Sequence, residues 1–520
     1  MTTPEPPPLP APSGPGNGAQ AQARLATGGE RRLHPWSWLF VLIAGLRQFI
    51  VPLAVLVFFG GRGEDGWQLG GAGVVVAVLA VGSVWRYFTY RYRIDEDSLF
   101  VRSGLLHREL RQIPFSRIHN VALQQSLLHR AFGVAAVKLE SAGGTRPEAE
   151  MKVLRLADAL ALEQLIRDRG QAPVDAPRGQ PQDPAGATLL SLPPGEIVRL
   201  GLISNRGMVV VAGAFALAWQ VFPEGRVAGL FSAGGRRLSG YIGAFSGDWI
   251  GIALALAAFV AMVLVMIRLL SVLLAIVRYH GFRLSEHGRR LTVERGLLTR
   301  VRASVPRRRI QAWTLREGVL HRLFRRRSLD IDTAASQGDG SQEKSLRELA
   351  PVATPDACDA LVRHVLREAH WPPQQWAPLH RRAWLRLFLG DALFGLLLLA
   401  AATWLFGIWG LWALLWLPWS VLVARRHAAR AGYALDDTVV AVREGWWSRH
   451  WRFAELDKIQ ALELRRSPLD HGMGMASVWL DTAGTGPLAP PLRIRHLPLQ
   501  DARALFARIE REVARRPLRW

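Results

Sequence analysis

Two runs of arginine carry the sharpest chemistry in the chain: Arg307-Arg308-Arg309 and Arg325-Arg326-Arg327, set 18 residues apart. Guanidinium groups clustered beside a membrane attract anionic headgroups, at about 1 kcal/mol for each residue near the surface. The six arginines are thus a candidate contact for anionic lipid or for a partner, and ordinary positive-inside bias accounts for the same charge. Ionisable groups inside apolar stretches are the second candidate, because charge in hydrocarbon is costly and marks function by default. Arg47 lies near the middle of one such stretch and Asp391 a few residues into another, so the two form a candidate intramembrane polar pair. Arg386 lies close enough to Asp391 in sequence to be an alternative partner. Arg268 interrupts a third stretch and marks a candidate end for it.

Catalytic and metal signatures do not occur in the sequence. It holds no H-E-x-x-H, no Walker glycine loop and no G-x-S-x-G elbow. Gly472-Met473-Gly474 lacks the third glycine of a nucleotide fingerprint and reads as a turn. His129 and His321 have no His or Cys at metal spacing, which favours packing or capping. Cys358 sits beside Asp356 and Asp359, a setting that disfavours a thiolate. No enzyme activity and no cofactor are expected.

The elements that must position these residues follow from composition. The chain has 520 residues and a net charge of +23, and only Lys138, Lys152, Lys344 and Lys458 among its 65 basic residues are not arginine. One cysteine excludes a disulfide framework and any multi-cysteine zinc site. No nucleic-acid motif accompanies the charge, so no nucleic-acid partner is expected. Apolar residues are bunched into stretches approaching the ~20 needed to cross a bilayer, which excludes a single soluble globule.

Six spans are predicted, as three hairpins: roughly 38–59 with 67–85, 208–222 with 249–277, and 387–406 with 408–423. The last pair is joined by a tight turn at Phe406-Gly407-Ile408. The short hairpin loops hold only Arg62, Arg226, Arg236 and Arg237, so both termini and the soluble segments are expected on the cytoplasmic side. The division is a Pro/Gly/Ala-rich disordered tail at 1–35, hairpins at 36–89, 196–278 and 383–425, soluble modules at 90–169, 279–370 and 431–516, and a Pro/Gly-rich linker at 170–195.

The three soluble segments are copies of one another. Aligned without gaps on Gly104, Gly296 and Gly445, they place Ile118, Ile310 and Ile459 together, then Leu128, Leu320 and Leu469, then Ala142, Ala334 and Ala483. Each copy reads as mostly strand. In the first, strands are expected at 90–94, 99–102, 109–113, 118–123, 135–141 and 151–156, with a helical turn at 127–132 and a closing helix at 158–167. The shared glycine fits a turn requiring positive φ. The second copy ends in helix 355–369, with Thr354 as N-cap and Pro355 at the first position. The third ends in 500–515, where Ala502, Leu505, Phe506 and Ile509 share one face.

This pattern resembles the bacterial pleckstrin-homology-like membrane proteins of the YdbS/YdbT type, specifically their three-module members. The resemblance runs from about residue 36 onward. It rests on the triplicated glycine turn, the P-x-x-R-I core at Pro114–Ile118 and Pro306–Ile310, and the L-H-R-x-F at Leu128–Phe132 and Leu320–Phe324. Copy three departs from it, with Ala454–Ile459 lacking the proline and arginine and Leu469-Asp470-His471 replacing L-H-R. The resemblance implies a multi-pass α-helical membrane protein of the bacterial inner membrane. Its three cytoplasmic α+β modules would be pleckstrin-homology-like β-sandwiches, each closed by a C-terminal helix. It further implies binding and assembly, a smaller one-module relative as partner, and a role in envelope stress or resistance to membrane-active peptides. The alternative is a transporter or lipid-handling protein that works through its six spans.

Overall fold

The computed structural model describes residues 29–43, 45–46, 67–95, 97–104, 108–141, 149–169, 187–221, 229, 249–333, 347–483 and 490–515. Module one comprises β2 (Arg91–Ile94), β3 (Ser98–Ser103), β4 (Glu109–Pro114), β5 (Ile118–Ser126), β6 (Val134–Ser141) and β7 (Ala149–Arg155), preceded by a two-residue strand, β1 (Arg31–Arg32). Period-2 alternation positions these strands: Tyr92 and Ile94 are buried while Arg93 between them is exposed. The short helix α2 (Leu127–Ala131) follows β5, and α3 (Leu156–Arg169) closes the module, while α1 (Trp67–Thr89) leads into it.

The same plan recurs. Module two holds β9 (Arg283–His287), β10 (Arg290–Arg295), β11 (Thr299–Pro306), β12 (Ile310–Glu317), β13 (Arg327–Thr333) and β14 (Glu348–Ala353), after a short strand β8 (Ala187–Ser191). Module three holds β16 (Gly432–Leu435), β17 (Val439–Glu444), β18 (Arg449–Glu455), β19 (Ile459–Arg465), β20 (Met475–Thr482) and β21 (Leu492–Pro498), after β15 (Ala377–Pro378). The glycine starting each repeat adopts positive φ, at 128°, 114° and 85° for Gly104, Gly296 and Gly445. A Cβ at Gly296 would sit 2.0 Å from the Thr299 carbonyl oxygen, so this turn requires glycine.

The modules are not separate sandwiches. The sheets run β1-β2-β3-β4, then β7-β6-β5-β11-β10-β9-β8, then β14-β13-β12-β18-β17-β16-β15, then β19-β20-β21. The last three strands of each module therefore continue into the first three of the next. β5 meets β11 antiparallel, with Val121 opposite Ser304 and Gln125 opposite Arg300. β12 meets β18 with Trp313 opposite Phe453 and Glu317 opposite Arg449. Counted from the shared glycines, the two registers are identical. The core follows the sheets, for one apolar cluster joins Ala122 of module one, most of module two, and Val439, Ala441 and Phe453 of module three.

Two stretches read as unstructured carry strands. Arg31–Arg32, within the expected tail, pairs with β2, and Ala187–Ser191, within the expected linker, pairs with β9. Each covers a sheet edge whose backbone groups need partners. That need is invisible in composition.

Among the described residues, two apolar helical runs are long enough to cross a membrane, Ala253–Tyr279 and Ala383–Arg430. The first belongs to α6 (Trp249–Tyr279). The second turns back on itself: α9 (Ala383–Phe406) packs on α10 (Trp416–Arg430), with Phe394 and Trp416 rings 5.6 Å apart. The turn is not the three residues expected at 406–408. Gly407 leaves the helix at φ 58°, and Gly407–Leu415 is a 3-10 stretch before helix resumes, which places Pro418 in a first turn where its missing N–H is tolerated. The third expected span, 208–222, falls on α5 (Arg206–Val221), which forms a bent pair with α4 (Pro194–Ile203) before it, meeting at 54°. Counting that pair as one span gives three at most in the described residues, where six spans were expected across the chain, and most of the first expected span lies outside the described residues.

Candidate functional site

The two arginine runs do not form one surface. Arg307–Arg309 is a 3-10 turn at the start of β12, and Arg325–Arg327 leads into β13, which runs antiparallel to β12. The length of the ladder, about 20 Å, separates them. At the first end Arg307 pairs with Glu286 at 2.8 Å and donates to the His364 carbonyl, and burial pushes Arg309 down to about 10, while Arg308 is exposed. At the second end Arg326 grips Glu196 through Nε (2.8 Å) and Nη2 (2.7 Å). Arg327 pairs with Glu317 (3.1 Å) and lies over the Trp451 ring. Arg325 is exposed and sits at φ 51°, where the equivalent residues Gly133 and Gly474 have φ 62° and 69°. A side chain is thus held in a backbone region that its two counterparts occupy as glycine, at a cost of order 1 kcal/mol.

The Arg325 end is also the end that meets the apolar helices. The Gly296 turn donates backbone N–H groups to His280 and Val277 at the close of α6. In module three the matching turn sets Trp446 and Trp447 about 6.5 Å from Trp419 of α10. Each short helix docks on the start of the apolar segment before its own module. In α2, His129 and Phe132 pack on Phe40 and Trp36. α7 (Val319–Leu323) precedes Arg326 and its Glu196 grip on α4. In α11 (Pro468–Gly472), Asp470 pairs with Arg386 of α9 at 3.0 Å. Exposed apolar side chains rim this face, among them Leu127, Leu298, Leu323, Trp447 and Leu469.

Ser126 caps α2 by accepting from the His129 N–H, whereas Ser467 and Asp470 form a reciprocal box at the start of α11. Arg386 therefore serves Asp470 rather than Asp391. Asp391 is exposed, and its carbonyl accepts from Trp416 Nε1 at 3.3 Å. Arg47 lies outside the described residues, so the Arg47–Asp391 pair has no structural description. Arg268 lies within α6, which runs on to Tyr279. It donates to the carbonyls of Leu202 and Ser204 and to the Asn205 side chain, satisfying the groups freed where α4 breaks from α5. Burial pushes the Cys358 thiol up to about 12. Among the described residues no group of three or more His, Cys, Asp or Glu side chains is placed to hold a metal ion.

Two charged clusters escaped sequence reasoning. Glu348 on β14 gathers Arg206 (3.0 Å), Arg278 (3.6 Å) and Arg295 (2.5 Å), with the Tyr279 hydroxyl, tying α5 and α6 to module two. Burial alone would raise the Glu348 carboxyl, but the arginines outweigh it and hold it below the usual carboxylate range. Glu444, which precedes Gly445 as Arg295 precedes Gly296, is held by Arg495 at 2.9 and 2.7 Å beside a cavity of about 310 Å³. Arg206 and Arg278, bordering apolar helices, were the available signal for the first. Nothing marked the second.

The bacterial PH domain family matches residues 41–170, 238–368 and 386–513, well over half the chain, each match covering one module and apolar sequence before it. The chain belongs to that family. A relative, the UPF0699 transmembrane protein YdbT of Bacillus subtilis (strain 168), is 22% identical over 376 residues, 70% of this chain and 73% of its own. The chain is thus a YdbT-like protein with three bacterial PH modules. No solved structure matches it.

Proposed function

We propose that this bacterial PH domain protein is a non-enzymatic inner-membrane scaffold. On this reading six spans in three hairpins, with both termini cytoplasmic, carry the module array. The array binds a partner membrane protein, a smaller one-module PH-like protein being the first candidate, and the role is envelope maintenance or resistance to membrane-active peptides. The observation that carries it is the fusion of the modules through shared sheets, which makes one extended platform rather than three tethered domains. The test is purification of the intact protein from native membranes at low and moderate salt. A stoichiometric second membrane protein at both salts is expected, and its absence at both would overturn the reading.

Anionic lipid is the second ligand, contacted at the Arg325 end of module two. The strained, exposed Arg325 beside an apolar rim supports that end over the Arg307 end, whose first arginine is committed to Glu286. Replacing Arg325 by glycine separates the two roles of the site. Arg325→Gly relieves the backbone, raising stability by about 1 kcal/mol, and should lower the anionic lipid retained per chain after detergent extraction. Unchanged retention would remove the lipid claim.

A further inference from the structure

Two strand edges at the ends of the array differ from all the others. Each module uses its third strand to receive the preceding module and its fourth to receive the next. β4 of module one is a third strand and β19 of module three a fourth strand, and among the described residues each pairs on one side alone. Exposure records the difference. β12 is buried at seven of its eight residues, whereas β19 has exposed residues at Gln460, Ala461, Glu463 and Arg465. β4 is exposed from Glu109 to Gln112, including the apolar Leu110 at 70%.

We propose that β19 of one copy pairs antiparallel with β4 of a second copy, in the register of the internal junctions. This rests on the scaffold reading and adds a second copy to the array alongside the partner membrane protein. Counting from the shared glycines, that register sets Leu462 opposite Gln112, Glu463 opposite Arg111, Leu464 opposite Leu110, and Arg465 opposite Glu109. Both strands read Glu-Leu-Arg, a triplet that is complementary to itself when run antiparallel. In the isolated chain each strand satisfies its own charges, Arg111 with Glu109 at 2.9 Å and Arg465 with Glu463 at 2.6 Å. Pairing exchanges these for cross-strand ion pairs on one face and closes leucines on the other.

The triplet alone would equally allow β4 on β4 or β19 on β19. A third position selects the mixed pair. At the second internal junction Arg452 of β18 reaches Asp332 of the neighbouring β13 at 2.7 Å. Arg111 is the repeat equivalent of Arg452, and Asp481 of β20 is the equivalent of Asp332, standing opposite Ala461 as Asp332 stands opposite Ala312. Asp481 is exposed. A second copy's β4 brings Arg111 to it, whereas β4 on β4 offers Arg111 no such aspartate, and β19 on β19 breaks the third-on-fourth strand order that both internal junctions keep. The contact is head-to-tail, so copies add into a ring or a row in the membrane plane.

The test uses full-length protein in membranes, with two differently tagged populations carrying Leu110→Cys and Leu464→Cys; the native Cys358 is fully buried. Opposite residues in a ladder are close enough to bridge. A disulfide joining the two tags is expected, with Arg111→Cys in place of Leu110→Cys failing, because a one-residue slip turns the side chain to the other face. Glu109→Arg should lower the yield about tenfold, and Arg465→Glu added to the other population should restore it. Bridging within either population alone overturns the mixed pairing. A smaller membrane protein that co-purifies while no bridge forms overturns the second copy as partner and leaves the scaffold intact. Neither bridge nor partner sinks both.

Discussion

At the first module junction Ala122 lies opposite Ala303, both fully buried; at the second, the same two places hold Thr314 and Arg452. There the guanidinium donates to the Thr314 hydroxyl at 2.9 Å and meets Asp332 in a site almost without solvent, while Phe453 stacks between Trp313 and Trp371. One register is thus filled by two chemistries. Backbone pairing and small side chains suffice to close the first seam, so register belongs to the repeat rather than to any one contact. The buried ion pair of the second seam adds specificity more than net stability, since both charges give up water to meet.

The largest expected effect breaks that second seam. Arg452→Met leaves Asp332 buried with Arg347 alone and should cost about 3–5 kcal/mol in denaturant unfolding. Adding Asp332→Leu should recover most of the loss, and strictly additive effects would remove the ion pair from the account. Acid should weaken the same sheet next. Burial would raise the Glu444 carboxyl, but His450 and Arg495 hold it down to about 2. Its folded pKa lies below its unfolded one near 4.5, so its stabilisation is full above pH 4.5 and is lost as pH falls toward 2. The amount is on the order of 3 kcal/mol, and melting curves from pH 2 to 6 should show Glu444→Gln flattening that limb. At the first seam Ala303→Leu should overpack the Ala122 contact by about 1–3 kcal/mol. The smallest effect is Thr314→Val, which removes the Arg452 acceptor at about 1 kcal/mol and should leave the first seam unchanged in proteolysis.

Local structure was legible in the sequence because its causes are local. Alternation at Arg91–Ile94, the Thr354 cap of α8 (Pro355–Val365) accepting from Ala357, and the apolar face of α12 (Leu499–Arg515) depend on neighbouring residues. The junctions were not legible, since ladder hydrogen bonds are made by backbone that every residue shares, and Ala122 facing Ala303 leaves no mark in composition. The arginine runs could be seen as charge. Their fate could not, because Glu196, Glu286 and Glu317 lie far from them or on other strands. Copy three shows the same limit: it lacks L-H-R, yet Asp470 keeps the docking of its short helix through Arg386.

The short strands β1, β8 and β15 carry a consequence for biosynthesis. Each is made before an apolar segment, and the strand it pairs with, β2, β9 or β16, is made after it. Each such segment is therefore an insertion in the turn of a β-hairpin. The ladder cannot zip until the ribosome has delivered the whole segment and its two ends lie side by side. Sheet closure thereby joins, three times along the chain, strands made on either side of an apolar segment.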